Sequence, residues 1–250
     1  PDLNTSRKLL FGLADAGADL IELGMPFSDP MADGPVIQAG SLRALKNGMT
    51  LKKTLALVAE FRQRDSDTPI VLMGYYNPIY IHGVEAFVVD AKAAGVDGLI
   101  IVDLPPEEAD ELWGPASVVG IDLIFLTAPT SNNDRLPVIM KRASGFVYYV
   151  SITGITGTRS ADLRDVEDAI NRLRSHTDLP VGVGFGINTP EQARGITSVA
   201  EAAVVGSALV DIISRNLDDN GIPGPKLVDS VLYLVSEMAS GIHQSDEVIV

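Results

Sequence analysis

The sequence predicts an α/β fold, a (β/α)8 TIM barrel whose first strand is missing from the chain, and three observations lead there. Seven short apolar runs recur along 250 residues, at 19–24, 70–76, 98–104, 122–128, 145–151, 180–186 and 201–207. Most are continuously apolar, as strands of a parallel sheet buried on both faces are. Stretches with helical signals separate them, and no Ser/Gly/Pro-rich linker divides the chain. Repeated βα units of this kind favour a barrel over an open doubly wound sheet. Residues 1–250 are therefore expected to form one barrel domain, incomplete at its N-terminus.

Residue 1 is a proline that leads directly into a helix, so the first expected strand is 19–24, DLIELG. Leu20, Glu22 and Gly24 share one face of it, and Ile21 and Leu23 share the other. With Ile21 and Leu23 turned to the helices, Glu22 points into the barrel near the C-terminal end of its strand. Catalytic groups of barrel enzymes sit at that end. A carboxylate in an apolar run is costly unless paired or neutralised. Burial would raise its pKa and keep it protonated, ready to act as a general acid. The alternative is a structural glutamate bonded to neighbouring strands.

The loop that follows, MPFSDPMADGP (25–35), is longer than most βα connections. Pro26, Pro30 and Pro35 restrict its backbone, and Ser28, Asp29, Asp33 and Gly34 are turn formers. It also keeps Met25, Phe27 and Met31, as a functional surface would. Folded over the barrel mouth, it could bring Asp33 to Glu22.

The next units are regular. Residues 83–95 and 105–120 read as helices, each followed by a strand. The stretches 14–24 and 91–103 repeat one design: a helix end, a glycine suited to a left-handed C-cap, an Asp and a strand. Asp103 ends its strand and is placed either at the site or on a partner surface. Residues 160–176 read as a helix, with Ser160 as the expected N-cap and Leu163, Val166, Ala169, Ile170 and Leu173 at helical spacing. Residues 220–225, NGIPGP, make a short break before a last helix.

Three glycine-rich stretches, 152–160, 182–188 and 204–210, follow three successive strands. Glycine allows close backbone approach, so amides and a helix N-terminus can hold a phosphate there. The last two stretches contain no Lys or Arg, so such a site would be built from backbone amides. A dinucleotide fingerprint is excluded because Ile187 stands where glycine or alanine is required. His82, His176 and His243 are scattered without metal-ligand spacing and read as surface or structural residues.

A net charge of −14 argues against nucleic acid or an anionic membrane as partner. With no cysteine there is no disulfide, thiol nucleophile or thiolate metal site. No apolar stretch is long enough to span a bilayer and no signal-peptide pattern is present, so a cytoplasmic location is expected.

In order, IELGMPFSDPMADGPVIQ, YYNPI, GLIIVDLPPEE, SITGITGTR, GFGINTPEQA and VVGSALV resemble the tryptophan synthase alpha chain family. The likeness covers nearly the whole chain, and its first block is the most specific. It implies retro-aldol cleavage of indole-3-glycerol phosphate to indole and glyceraldehyde 3-phosphate, without cofactor or metal. The family's catalytic carboxylates fall on Glu22 and Asp33. Its phosphate contacts match Gly157, Gly186, Gly206 and Ser207, its active-site tyrosine matches Tyr148, and a supporting loop threonine matches Thr156. Gly184 and Phe185 complete the expected substrate contacts.

The resemblance further implies a beta chain docked over the barrel mouth in an α2β2 assembly. It also implies a first helix and strand ahead of residue 1, whose absence would leave two strand edges open. Two other readings stand beside it. Another phosphosugar-processing barrel would rely on catalytic lysines or paired aspartates at strand ends, and no Lys occupies the strands here. An inactive barrel kept as a regulatory subunit would need no intact carboxylates.

Overall fold

Short β-branched and leucine-rich runs bounded by Gly, Asp and Pro become strands wherever helices can cover them. The computed structural model describes residues 1–151, 163–184 and 186–243. Eight strand segments run β1 (Ile21–Gly24), β2 (Ile70–Gly74), β3 (Gly98–Ile101), β4 (Asp122–Leu123), β5 (Phe125–Thr127), β6 (Val147–Val150), β7 (Val181–Gly184) and β8 (Ala202–Val204). All described pairings are parallel and follow chain order, β1-β2-β3-β4 and β5-β6-β7-β8.

Each of the seven predicted runs forms a strand, but the run 122–128 is divided at Ile124. Its first half pairs with β3 at Gly98↔Asp122 and Leu99↔Leu123, and its second half pairs with β6 at Phe125↔Val147. Ile124 bridges the change of neighbour by donating its N–H to Leu99 O at 2.9 Å. The two sheets are thus one curved wall, as a barrel with staggered strands requires. Among the described residues β1 pairs only with β2, and β8 only with β7.

The helices are α1 (Leu3–Asp15), α2 (Pro35–Lys46), α3 (Leu51–Phe61), α4 (Tyr76–His82), α5 (Val84–Ala94), α6 (Asp110–Val119), α7 (Leu136–Met140), α8 (Leu163–Arg174), α9 (Pro190–Thr197), α10 (Ser207–Arg215) and α11 (Leu227–His243). The expected helix at 105–120 is a single 3-10 turn, Pro106–Glu108, leading into α6. Gly17 and Gly95, the two glycines expected as left-handed caps, have φ of +98° and +91°. Beside the two strands that have one described neighbour each, the helices meet: α10 packs on α2, and α11 on α1. The helices beside the unpaired edges, α2 and α10, carry no fully buried residue, whereas α3 and α5 each bury several.

Alternation along the strands separates two apolar layers. Ile70, Leu72, Leu99, Ile101, Leu123 and Phe125 face outward into the core shared with the helices. Val71, Ile100, Ile124 and Tyr148 form an inner cluster with Met73, Val102, Leu126 and Val204. Each fully buried side chain of this size contributes roughly 1.5–3 kcal/mol relative to exposure. The inner layer fills the barrel and makes the floor of the site.

Candidate active site

Strand register decides where Glu22 points. Residue pairing in a parallel ladder keeps partners on one face, and Glu22 is paired with Val71 of the inner layer while Ile21 is paired with outward Ile70. Glu22 therefore projects into the barrel, as its position along the strand predicts. The residue is only partly covered, yet its Oε1 is fully enclosed and accepts no hydrogen bond among the described residues. Burial alone raises its carboxyl to about 7. Among the described residues nothing ties that atom to a neighbouring strand, as a structural glutamate bonded there would require.

Across the interior stands Tyr148 of β6, whose phenol is pushed up by burial and then by the charge of Glu22. A Cβ built on Gly184 would collide with the Tyr148 hydroxyl. Gly184 is thus glycine because the tyrosine ring lies against its backbone. Gly184 O is also held by Ser151, from both N (3.2 Å) and Oγ (3.0 Å).

The loop after β1 is tied down at several points. Met25 N–H donates to Met73 O at 2.8 Å, and Ser41 Oγ both accepts from Phe27 N (2.9 Å) and donates to Phe27 O (2.8 Å). Gln38 Nε2 donates to Asp33 O at 2.9 Å. Tyr75, one residue past β2, accepts the Ala32 N–H at 2.9 Å and donates its hydroxyl to Asp33 Oδ2 at 3.1 Å. Asp33 is raised by burial and pulled the other way by the Tyr75 hydroxyl. Gly34 and Pro35 then open α2, with Pro at a position where no amide is needed.

This geometry corrects the reading of the loop's apolar residues as one surface. Met25 is buried against Gly74, and Phe27 stacks on Tyr75 with ring centroids 5.3 Å apart. Only Met31 is exposed, at 81%. Prolines and hydrogen bonds fold the first two residues inward because each finds a glycine or aromatic face to cover.

At the far side of the mouth, Gly184 is paired with Val204, so Gly186 and Gly206 each lie two residues beyond neighbouring paired positions. Gly186 has φ +78°, accessible chiefly to glycine. Gly206 is the N-cap of α10 and, having no side chain, leaves the amides of Ser207 and the first turn without a side-chain cap. Nothing lies within 4 Å of a Cβ built on Gly206. A helix N-terminus of this kind suits an anion. Gly206→Asp should therefore fold normally and raise KM for a phosphorylated substrate by about tenfold or more. A dephosphorylated analogue should show no such penalty, and equal penalties for both would point to misfolding instead.

Thr156, Gly157 and Phe185 lie outside the described residues, as does the proposed cap Ser160. Asp103 accepts the Tyr76 N–H at 2.8 Å, which caps the entry to α4 and places it in the scaffold of the mouth. His82 lies 2.8 Å from Asp90, and His243 lies 3.3 Å from Asp19. Tyr75 is the site residue that sequence reasoning missed. The adjacent tyrosines after a strand were visible, but no spacing rule connects a phenol to a carboxylate 42 positions away.

Comparison with known proteins gives the family and the fold. The family model described as tryptophan synthase alpha chain matches residues 1–240. A tryptophan synthase subunit alpha from Legionella pneumophila str. Paris is similar at 37% identity with a TM-score of 0.87, the match covering 96% of this chain and 88% of that one. A chain of the tryptophan synthase α2β2 complex from Pyrococcus furiosus, a complex described as mutually activated, is similar at 43% identity with a TM-score of 0.85. That match covers 95% of this chain and 93% of the other.

Proposed function

The chain belongs to the tryptophan synthase alpha chain family, a lyase that cleaves indole-3-glycerol phosphate to indole and glyceraldehyde 3-phosphate in tryptophan biosynthesis, and we propose that Glu22 and Asp33 carry this reaction. The observation that carries the assignment is a pair of carboxyl groups in contrasting settings. Glu22 has an enclosed Oε1 that bonds to no described residue and a carboxyl raised to about 7 by burial, while Asp33, also raised by burial, sits in a polar loop and accepts the Tyr75 hydroxyl. A buried carboxyl with no described partner suits proton delivery, and a hydrogen-bonded carboxyl in a polar loop suits charge stabilisation.

In this reading neutral Glu22 delivers its proton to indole C3, and positive charge develops at the ring nitrogen. Ionised Asp33 accepts the indole N–H and stabilises that charge. Loss of the side-chain hydroxyl proton then lets the C–C bond break, its electrons returning to the ring, to leave indole and the aldehyde. A carboxyl poised near 7 suits both proton steps, because Glu22 becomes a base once it has given its proton to C3. Tyr148 and Gly184 bound the indole pocket. Gly186, Gly206 and Ser207 hold the phosphate, with Gly157, Thr156 and Phe185 assigned by family likeness alone.

We further propose that residues 1–250 work as one barrel domain and that the chain acts in the cytoplasm with a beta chain in an α2β2 assembly. No described helix is long and apolar enough to cross a membrane. Exposed Met31, Tyr80 and Ile81 follow β1 and β2 on the side of the mouth and supply apolar area for docking. Free indole is neutral and readily lost, and a docked partner would receive it directly and exclude water. The test is indole release from indole-3-glycerol phosphate, measured with and without a cognate beta chain. Release by the chain alone, accelerated by the partner, is the expected result. A chain that releases no indole even in the complex would be an inactive barrel instead.

A further inference from the structure

Resting on the assignment of Asp33, we infer that Tyr75 is its positioning residue, a phenol that fixes which carboxylate oxygen meets the substrate. The ring has little freedom: Tyr75 is 3% exposed and stacks on Phe27 at an interplanar angle of 34°. Its hydroxyl accepts the Ala32 N–H at 2.9 Å, which directs the single phenolic hydrogen to Asp33 Oδ2 at 3.1 Å. Among the described residues Oδ2 is the oxygen so engaged, and Oδ1 is left to accept the indole N–H.

The division of labour within the loop is clear from the bonds. Ser41 and Gln38 hold backbone, through Phe27, Pro30 and Asp33 carbonyls. Tyr75 alone among them also holds the side chain. Burial keeps the phenol protonated, its pKa pushed up to about 12, so it remains a donor throughout the working range. Among the described residues the Asp33 carboxyl is raised by its burial and lowered by this hydroxyl. Removing the hydroxyl therefore makes the carboxylate harder to ionise and free to rotate, while the loop backbone keeps its other ties.

Tyr75→Phe keeps the ring stack and deletes one oxygen. The expected result is a fall of about tenfold in kcat with KM nearly unchanged. The acid limb of the kcat profile should move to higher pH, because a hydrogen bond to the charged form favours it. In an Asp33→Asn background the same substitution should cost nothing further, since Tyr75 acts through Asp33. As a folded alternative, 3-fluorotyrosine placed at position 75 is a stronger donor and should move the acid limb to lower pH. An additive loss in the double variant, with the acid limb unmoved by either change, would overturn the proposal and leave Tyr75 as packing for the loop. Full activity of Asp33→Asn alone would instead overturn the catalytic assignment on which the proposal rests.

Discussion

Glu22→Gln should abolish indole release, by about 10²- to 10⁴-fold, while substrate affinity stays nearly intact. The amide keeps the volume of the side chain in a pocket where Oε1 is enclosed, but it has no proton to give to indole C3. Retention of more than about a tenth of wild-type turnover would be incompatible with a general acid. The same substitution carries a stability signature that is independent of activity. The folded Glu22 carboxyl is raised from its ordinary 4.5 to about 7 by burial, so the folded chain binds its proton more tightly than the unfolded chain. Stability from this group is therefore fully present below about pH 4.5 and falls as pH rises to about 7. The loss is at most about 3 kcal/mol by linkage. Glu22→Gln should lack that slope, so above neutral pH the inactive variant should melt higher than the wild type. Chemical denaturation of both proteins across pH 4 to 9 checks the sign, and parallel curves would mean that the carboxyl is not held neutral by burial.

Asp33→Asn is expected to cost about 10²- to 10³-fold in turnover through a different step. Asparagine can still accept the Tyr75 hydroxyl, so the loop geometry that Ser41, Gln38 and Tyr75 impose should survive. What disappears is the negative charge facing the indole nitrogen as positive charge develops there. The acid limb assigned to Asp33 should vanish from the residual activity, and the basic limb set by Glu22 should remain near 7. A variant that loses both limbs together would show that the two carboxylates titrate as one unit and that separate roles are wrong. A variant with wild-type turnover and a raised KM would make Asp33 a binding residue only. Measured side by side, the Glu22 and Asp33 variants separate proton delivery from charge stabilisation.

Both predictions depend on features with very different visibility in the amino-acid chain. The seven strands, the inward direction of Glu22 and the left-handed caps at Gly17 and Gly95 all follow from local rules. Side-chain alternation along a strand is imposed by the backbone, and positive φ excludes most residues other than glycine. The proposed phosphate end of the mouth rests on a rule of the same local kind. Gly206 and Ser207 stand at a strand-to-helix junction, where unpaired amides are a property of any helix start.

The rest was decided by which segments meet in space. The run 122–128 breaks at Ile124 because it leaves one neighbour for another, and pairing partners are not written in the strand itself. Met25, read as surface, is buried because Gly74 of the adjacent strand leaves room for it. Tyr75 reaches Asp33 only because β1 and β2 are neighbours and the loop turns back over both. For Glu22 the chain left two readings open, a buried acid and a bonded structural residue, and packing favours the first. The sequence alone determined the strands, their faces and the residues able to do chemistry, because those follow from backbone geometry within a few residues. Tertiary structure decided how far burial raises the Glu22 carboxyl and which hydroxyl reaches Asp33, because desolvation and hydrogen bonding depend on the atoms that packing brings from elsewhere in the chain.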